Sequence, residues 1–132
     1  MLTIKKLITL TYLGFFLLCV RHYAVEPAAG AAAQNPSQES IEFFEKKIRP
    51  VLVAQCYMCH SAQTKKPQGG LLLDSREGML RGGASGMPAI VPGDPEKSLL
   101  IRAIRHTDSK LQMPMGAQLP VEQIKDFEAW VR

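Results

Sequence analysis

The sequence predicts an all-α domain with long loops, and three observations carry that prediction. Apolar residues recur at helical spacing in several segments, Gly- and Pro-bearing stretches separate those segments, and none keeps the period-two alternation of a strand. The 132 residues allow one domain at most once a targeting segment is set aside.

That segment comes first. Met1 to Lys6 carries Lys5 and Lys6, and the uncharged apolar stretch Leu7 to Val20 follows before Arg21. This is the outline of a signal peptide, and the stretch is shorter than the roughly 20 apolar residues of a membrane-spanning helix. Ala31-Ala32-Ala33 offers the small residues that a signal peptidase accepts, so cleavage is expected before Gln34. Cys19 follows Leu18, where a lipoprotein signal needs a small residue, and both Cys19 and His22 are expected to leave with the signal. The expected organisation is a signal peptide over 1–33, a linker over 34–39 rich in Pro and polar residues, and a domain over 40–132. The expected location is periplasmic or otherwise exported, with no stable membrane span.

Ser40 can cap a first helix whose Ile41, Phe44, Ile48 and Leu52 share one face, with Pro50 ending or bending it. Leu71 to Leu73 is a short apolar anchor, and Asp74 or Ser75 can cap a brief helix through Leu80. Asp94-Pro95 is expected to open a helix with Leu99, Leu100, Ala103 and Ile104 inward, ending near His106. Pro120 starts the last helix, with Val121, Ile124, Phe127 and Val131 as its stripe and Trp130 beside it. Between them, Ala62 to Gly70, Arg81 to Pro92 and Thr107 to Leu119 read as irregular loops, and in a compact domain loops of this length usually have a job, such as wrapping a ligand.

Charge excludes one class of partner. Loss of Lys5, Lys6, Arg21 and Glu26 with the signal takes the net charge from +4 to +2, and no basic run with interleaved aromatics remains to hold nucleic acid.

The chemistry lies in Cys56-Tyr57-Met58-Cys59-His60. C-x-x-C-H is the attachment site of c-type haem. Each of two thiols so spaced can add across a vinyl group on the same side of one haem, and the adjoining imidazole can then bind the iron as proximal ligand. The competing uses fit less well. A thioredoxin-like motif wants a β-α-β pattern, and a zinc site wants four ligands where the rest of the domain offers one further His and no further Cys. For the distal position, Met113 in the Gly- and Pro-bearing Met113-Pro114-Met115-Gly116 loop leads, with Met115, His106 or an open site as the alternatives.

With these residues in hand, the chain resembles the planctomycete-type cytochrome c domain, a small class I-like c-type cytochrome. The likeness runs from Phe43 to Trp130 through Ile48-Arg49-Pro50-Val51-Leu52, Cys56 to His60, Gly70-Leu71-Leu72-Leu73-Asp74 and Gly82-Gly83. It continues through Val91-Pro92-Gly93-Asp94-Pro95-Glu96-Lys97-Ser98-Leu99-Leu100 to Met113-Pro114, and it departs at Met115, where the family commonly has a second Pro. The resemblance implies an all-α, class I-like cytochrome c fold in which N- and C-terminal helices cross, with Phe44, Phe127 and Trp130 near their contact and long loops around the haem. It implies one covalent haem c per chain, held by Cys56 and Cys59, with His60 and Met113 as iron ligands. The expected function is one-electron transfer to redox partner proteins, with fusion to or action beside a larger oxidoreductase as a further expectation. Lys65, Lys66, Arg81 and Arg105 are a candidate docking patch. The alternative is a haem-dependent oxidoreductase or small-ligand sensor with an open or displaceable distal site.

Overall fold

The computed structural model describes residues 36–132, so the expected signal peptide, with Cys19 and His22, lies outside the described residues. The first helix begins earlier than expected. Ser37, at extended backbone angles, accepts from the Ser40 amide and caps helix α1 (Gln38–Phe43), so the last residues of the expected linker are helical. Ser37 takes the role assigned to Ser40 because its backbone is extended and its hydroxyl reaches the third amide of the turn.

Pro50 bends this segment without ending it. Its ring removes an N–H and crowds the carbonyl four residues back, and the chain responds with a widened π-helical turn (Phe44–Ile48), in which the Arg49 amide reaches the Phe44 carbonyl. Helix α2 (Arg49–Gln55) then continues with Pro50 in its first turn, where no donor is needed. Ile48 and Leu52 are fully buried and Phe44 half-buried, but Ile41 is exposed, so the predicted stripe holds after its first residue.

Short helix α3 (Tyr57–His60) follows at once, then a 3-10 turn (Gln68–Gly70) and α4 (Arg76–Arg81), capped by the Ser75 hydroxyl at the Gly78 amide. Gly82 is required by geometry: its φ is +75°, and a Cβ there would stand 2.0 Å from the Met87 carbonyl oxygen.

Helix α5 (Leu99–Ile104) starts later than Asp94-Pro95 suggested. The Asp94 carboxylate instead accepts from the Lys97 amide and closes a separate turn, while Ser98, fully buried, becomes the first residue outside α5. The Ser98 hydroxyl accepts from the Val91 amide at 2.9 Å and donates to the Asp94 carbonyl at 2.8 Å, so one side chain fastens both ends of the Pro-Gly-Asp-Pro stretch. Leu100, Ile101, Ala103 and Ile104 are buried, and Leu99 is half-buried.

Helix α6 (Val121–Val131) begins after Pro120. Ile124, Phe127 and Val131 are buried, whereas Val121 is exposed because it lies in the first turn, before the helix meets the core. Trp130 joins the two ends of the domain: its ring lies 5.4 Å from that of Phe44 in the π-helical turn and 6.1 Å from that of Phe127, edge-on to the latter. The Gly93 amide also donates to the Val131 carbonyl at 2.7 Å, which ties the loop before α5 to the end of α6.

The core gathers Ile48 from the π-helical turn, Leu52 from α2, Leu73 from the loop after the 3-10 turn, Ile101 and Ile104 from α5, and Phe127 from α6. Among the described residues there is no strand, and the Asp108–Leu111 bridge is the sole β-type pairing. The domain is all-α, and its terminal helical segments pack on one another as the resemblance implied. Among the described residues no helix is long and apolar enough to cross a membrane.

Candidate functional site

Cys56 sits where α2 stops. Its backbone, at φ −123°, breaks the helix, and its carbonyl accepts from the amides of both Cys59 (3.1 Å) and His60 (2.9 Å). One carbonyl thus holds Cys59 and His60 in a single turn that begins at Cys56. The His60 carbonyl accepts from the Leu73 amide at 2.8 Å, which fixes the far side of the turn to the buried Leu73. The side chain of Asp74, just beyond, accepts from the Ala62 amide at 2.7 Å.

Both thiols are free and half-buried. Burial, with a smaller contribution from the neighbouring Cys59, pushes the Cys56 thiol up to about 11. This argues against the thiol–disulfide reading, because reactive C-x-x-C pairs work through a thiol shifted down, at an electropositive and accessible position. The zinc reading fails on ligand number: among the described residues no three of His, Cys, Asp and Glu gather as a metal site. The imidazole of His60 carries a buried Nδ1 with no protein partner, so its ring is not engaged by the protein at that atom. Two free thiols and an imidazole with an unpartnered Nδ1 on one turn are the donor set that a covalent haem needs.

Met58, between the cysteines, is largely exposed. An open pocket of about 620 Å³ lies beside the turn, lined by Val53, Tyr57, Met58, Ser61 and Asp74 among others. Cys56, Cys59 and His60 do not line it, so it is not the attachment site.

The two candidate methionines differ sharply. Met113 is half-buried, its amide donates to the Ala103 carbonyl at 3.1 Å, and its own carbonyl is hydrogen-bonded to His106 Nε2 at 3.0 Å. Met115 is 77% exposed, and its side chain stands away from the core. The Met113–Pro114 peptide is cis. His106, weighed as a possible ligand, is instead occupied with the loop that carries Met113, a role its place in the sequence did not signal.

The candidate docking patch is not supported as a unit. Arg105 is bonded to Glu96 and Glu128 and Arg81 to Glu77, which leaves Lys65 and Lys66 as its exposed members without an ion pair among the described residues.

Residues 56–114 match the family model described as Planctomycete cytochrome C. No curated protein and no solved structure matches the chain. The matched span opens on the first thiol of the attachment turn and closes on the Pro after Met113, so it encloses the whole candidate site within an all-α frame. The segment from Cys56 to Pro114 is a planctomycete-type cytochrome c domain.

Proposed function

We propose that this chain is an exported mono-haem c-type cytochrome that passes single electrons, with haem attached through Cys56 and Cys59 and ligated by His60 and Met113. The observation that carries this reading is the Cys56–His60 turn, which puts two free thiols and an imidazole with an unpartnered Nδ1 on one backbone turn. When bound, haem supplies reversible one-electron ferric/ferrous chemistry.

The chain's own residues have separate tasks. Cys56 and Cys59 would hold the haem through two thioethers, each sulfur bonding one vinyl carbon while its hydrogen goes to the other, so attachment would consume no oxidant. The Cys56 carbonyl holds Cys59 and His60 in one turn through two backbone hydrogen bonds. His60 offers an imidazole nitrogen donor, and the Met113 thioether is a soft donor of the kind that raises a haem potential. Met113 is favoured over Met115 because its backbone is held at both its N–H and its C=O. The domain's family, together with the leader-like Met1 to Ala33, supports export.

The test is a haemochrome assay and a reduced-minus-oxidised spectrum on protein exported in a host with haem-attachment machinery. Covalent haem at one per chain, lost in the Cys56→Ser/Cys59→Ser double variant, is the expected result. Covalent haem persisting in the double variant would overturn the attachment, and covalent haem without a ferric Met-sulfur charge-transfer band would favour the open-site oxidoreductase or sensor.

A further inference from the structure

The segment 107–119 bears the candidate distal ligand and yet contains no helix, and its one β-type pairing is the isolated Asp108–Leu111 bridge. A ligand on such a loop needs something to hold it, since a loose thioether would compete poorly with any exogenous donor. Three interactions act here. The Asp108–Leu111 bridge reverses the chain, with the Leu111 amide on the Asp108 carbonyl at 3.0 Å and the Lys110 amide on the Asp108 carboxylate at 2.9 Å. The reversed chain returns to α5, where the Met113 amide meets the Ala103 carbonyl. The third is a side chain: His106 Nε2 lies 3.0 Å from the Met113 carbonyl oxygen.

A carbonyl oxygen can only accept, so Nε2 carries the hydrogen and donates. His106 is also the one non-glycine residue with positive φ among the described residues, at +54°. A residue with a Cβ avoids that region unless its surroundings impose it. The conformation turns the chain off the end of α5 immediately after the Arg105 cap, and the side chain that starts the loop also grips the residue that carries the sulfur. A glycine would make the turn more easily but would have no donor.

We propose, on the reading that Met113 is the distal ligand, that His106 is a positioning residue for it. The imidazole holds the Met113 carbonyl, restricts the loop to the arrangement in which the thioether is presented, and so lowers the population in which the distal position is open to other donors. This is a population effect, and its size follows from one net hydrogen bond, worth about fivefold in an equilibrium.

The experiment uses the exported, haem-loaded protein and compares wild type with His106→Phe and His106→Gln. Both variants place a non-glycine side chain at this positive φ, and Gln alone can still donate to the carbonyl. Two readouts are taken, the ferric Met-sulfur charge-transfer band and the affinity of the ferric protein for imidazole. The expected result is a weakened band and about fivefold tighter imidazole binding in His106→Phe, with His106→Gln within about twofold of wild type. An unchanged band and imidazole affinity in His106→Phe, even with a lowered thermal midpoint, would overturn the proposal, as would equal disturbance in the two variants. A wild type without the band would overturn Met113 ligation and this role together, so the two failures are told apart by the wild-type spectrum.

Discussion

Met113 and Met115 have the same side chain and stand two positions apart, yet the protein treats them differently. One is half-buried with both backbone groups bonded, and the other is 77% exposed. On the proposed ligation, Met113→Ala abolishes the charge-transfer band and lowers the midpoint potential, within the roughly 0.8 V that ligand and environment command. Met115→Ala leaves both unchanged, and potentiometry on the two variants checks the pair. The sequence ranked Met113 first through its loop setting, but the backbone bonds that separate the two depend on Ala103 and His106, which a local reading does not bring together. Cys56 gives a second residue-scale prediction. With its thiol pushed up to about 11 from 9.0, thiolate near neutral pH is about a hundredfold scarcer than in the unfolded chain. In chain made without haem attachment, iodoacetamide labelling of Cys56 is therefore slower by about that factor in the folded state than in urea, as read by peptide mapping. The sign for stability follows. The contribution of this thiol is complete below about 9 and is lost as pH rises through about 11, because the unfolded chain releases its proton first.

At the scale of elements, Arg105 is the main joint outside the core. Its guanidinium donates to both oxygens of Glu96 at 2.8 and 2.7 Å and to Glu128 on α6 at 2.8 Å, while its carbonyl accepts from Gln118 at 2.7 Å. The residue at the end of α5 therefore ties together the turn before that helix, the distal loop and α6. Arg105→Met leaves the half-buried Glu128 with one fewer partner and is expected to cost about 1–2 kcal/mol. The readout is a thermal midpoint lower by roughly 4–8 °C per kcal/mol. The hydrogen bond from Arg105 also holds the Glu96 carboxyl below its ordinary value, so that part of the stability is present above about 4.5 and fades as pH falls through the lowered value. Acid unfolding followed by circular dichroism is accordingly less steep in Arg105→Met. The sequence showed the existence of these elements better than their ends. Ser37 and Ser40 are equally good caps, and only Ser37 occupies the extended backbone that a cap requires. Asp94-Pro95 signals a helix start in the sequence, but the carboxylate caps its nearest turn, and the tertiary demand of Ser98 sets where α5 begins.

For the whole molecule, the fold was legible because helical periodicity and loop punctuation agree along the chain, and the attachment turn was legible because its chemistry is compressed into five consecutive residues. What joins distant segments was less visible. Phe127 illustrates this: it is 1% exposed and packs edge-on to Trp130, which in turn meets Phe44. Phe127→Ala is expected to cost about 3–5 kcal/mol, a large fraction of the roughly 5–15 kcal/mol that a domain commands. Urea unfolding would show it as a fall in midpoint with the slope nearly unchanged.

The Gly93 amide, bonded to the Val131 carbonyl, ties two timescales together. A glycine in a surface turn would ordinarily trade its proton with water within the brief excursions of a loop. Here the partner is the last turn of the final helix, so that proton is released only when the end of the helix opens, and a loop position keeps time for the closing element of the fold.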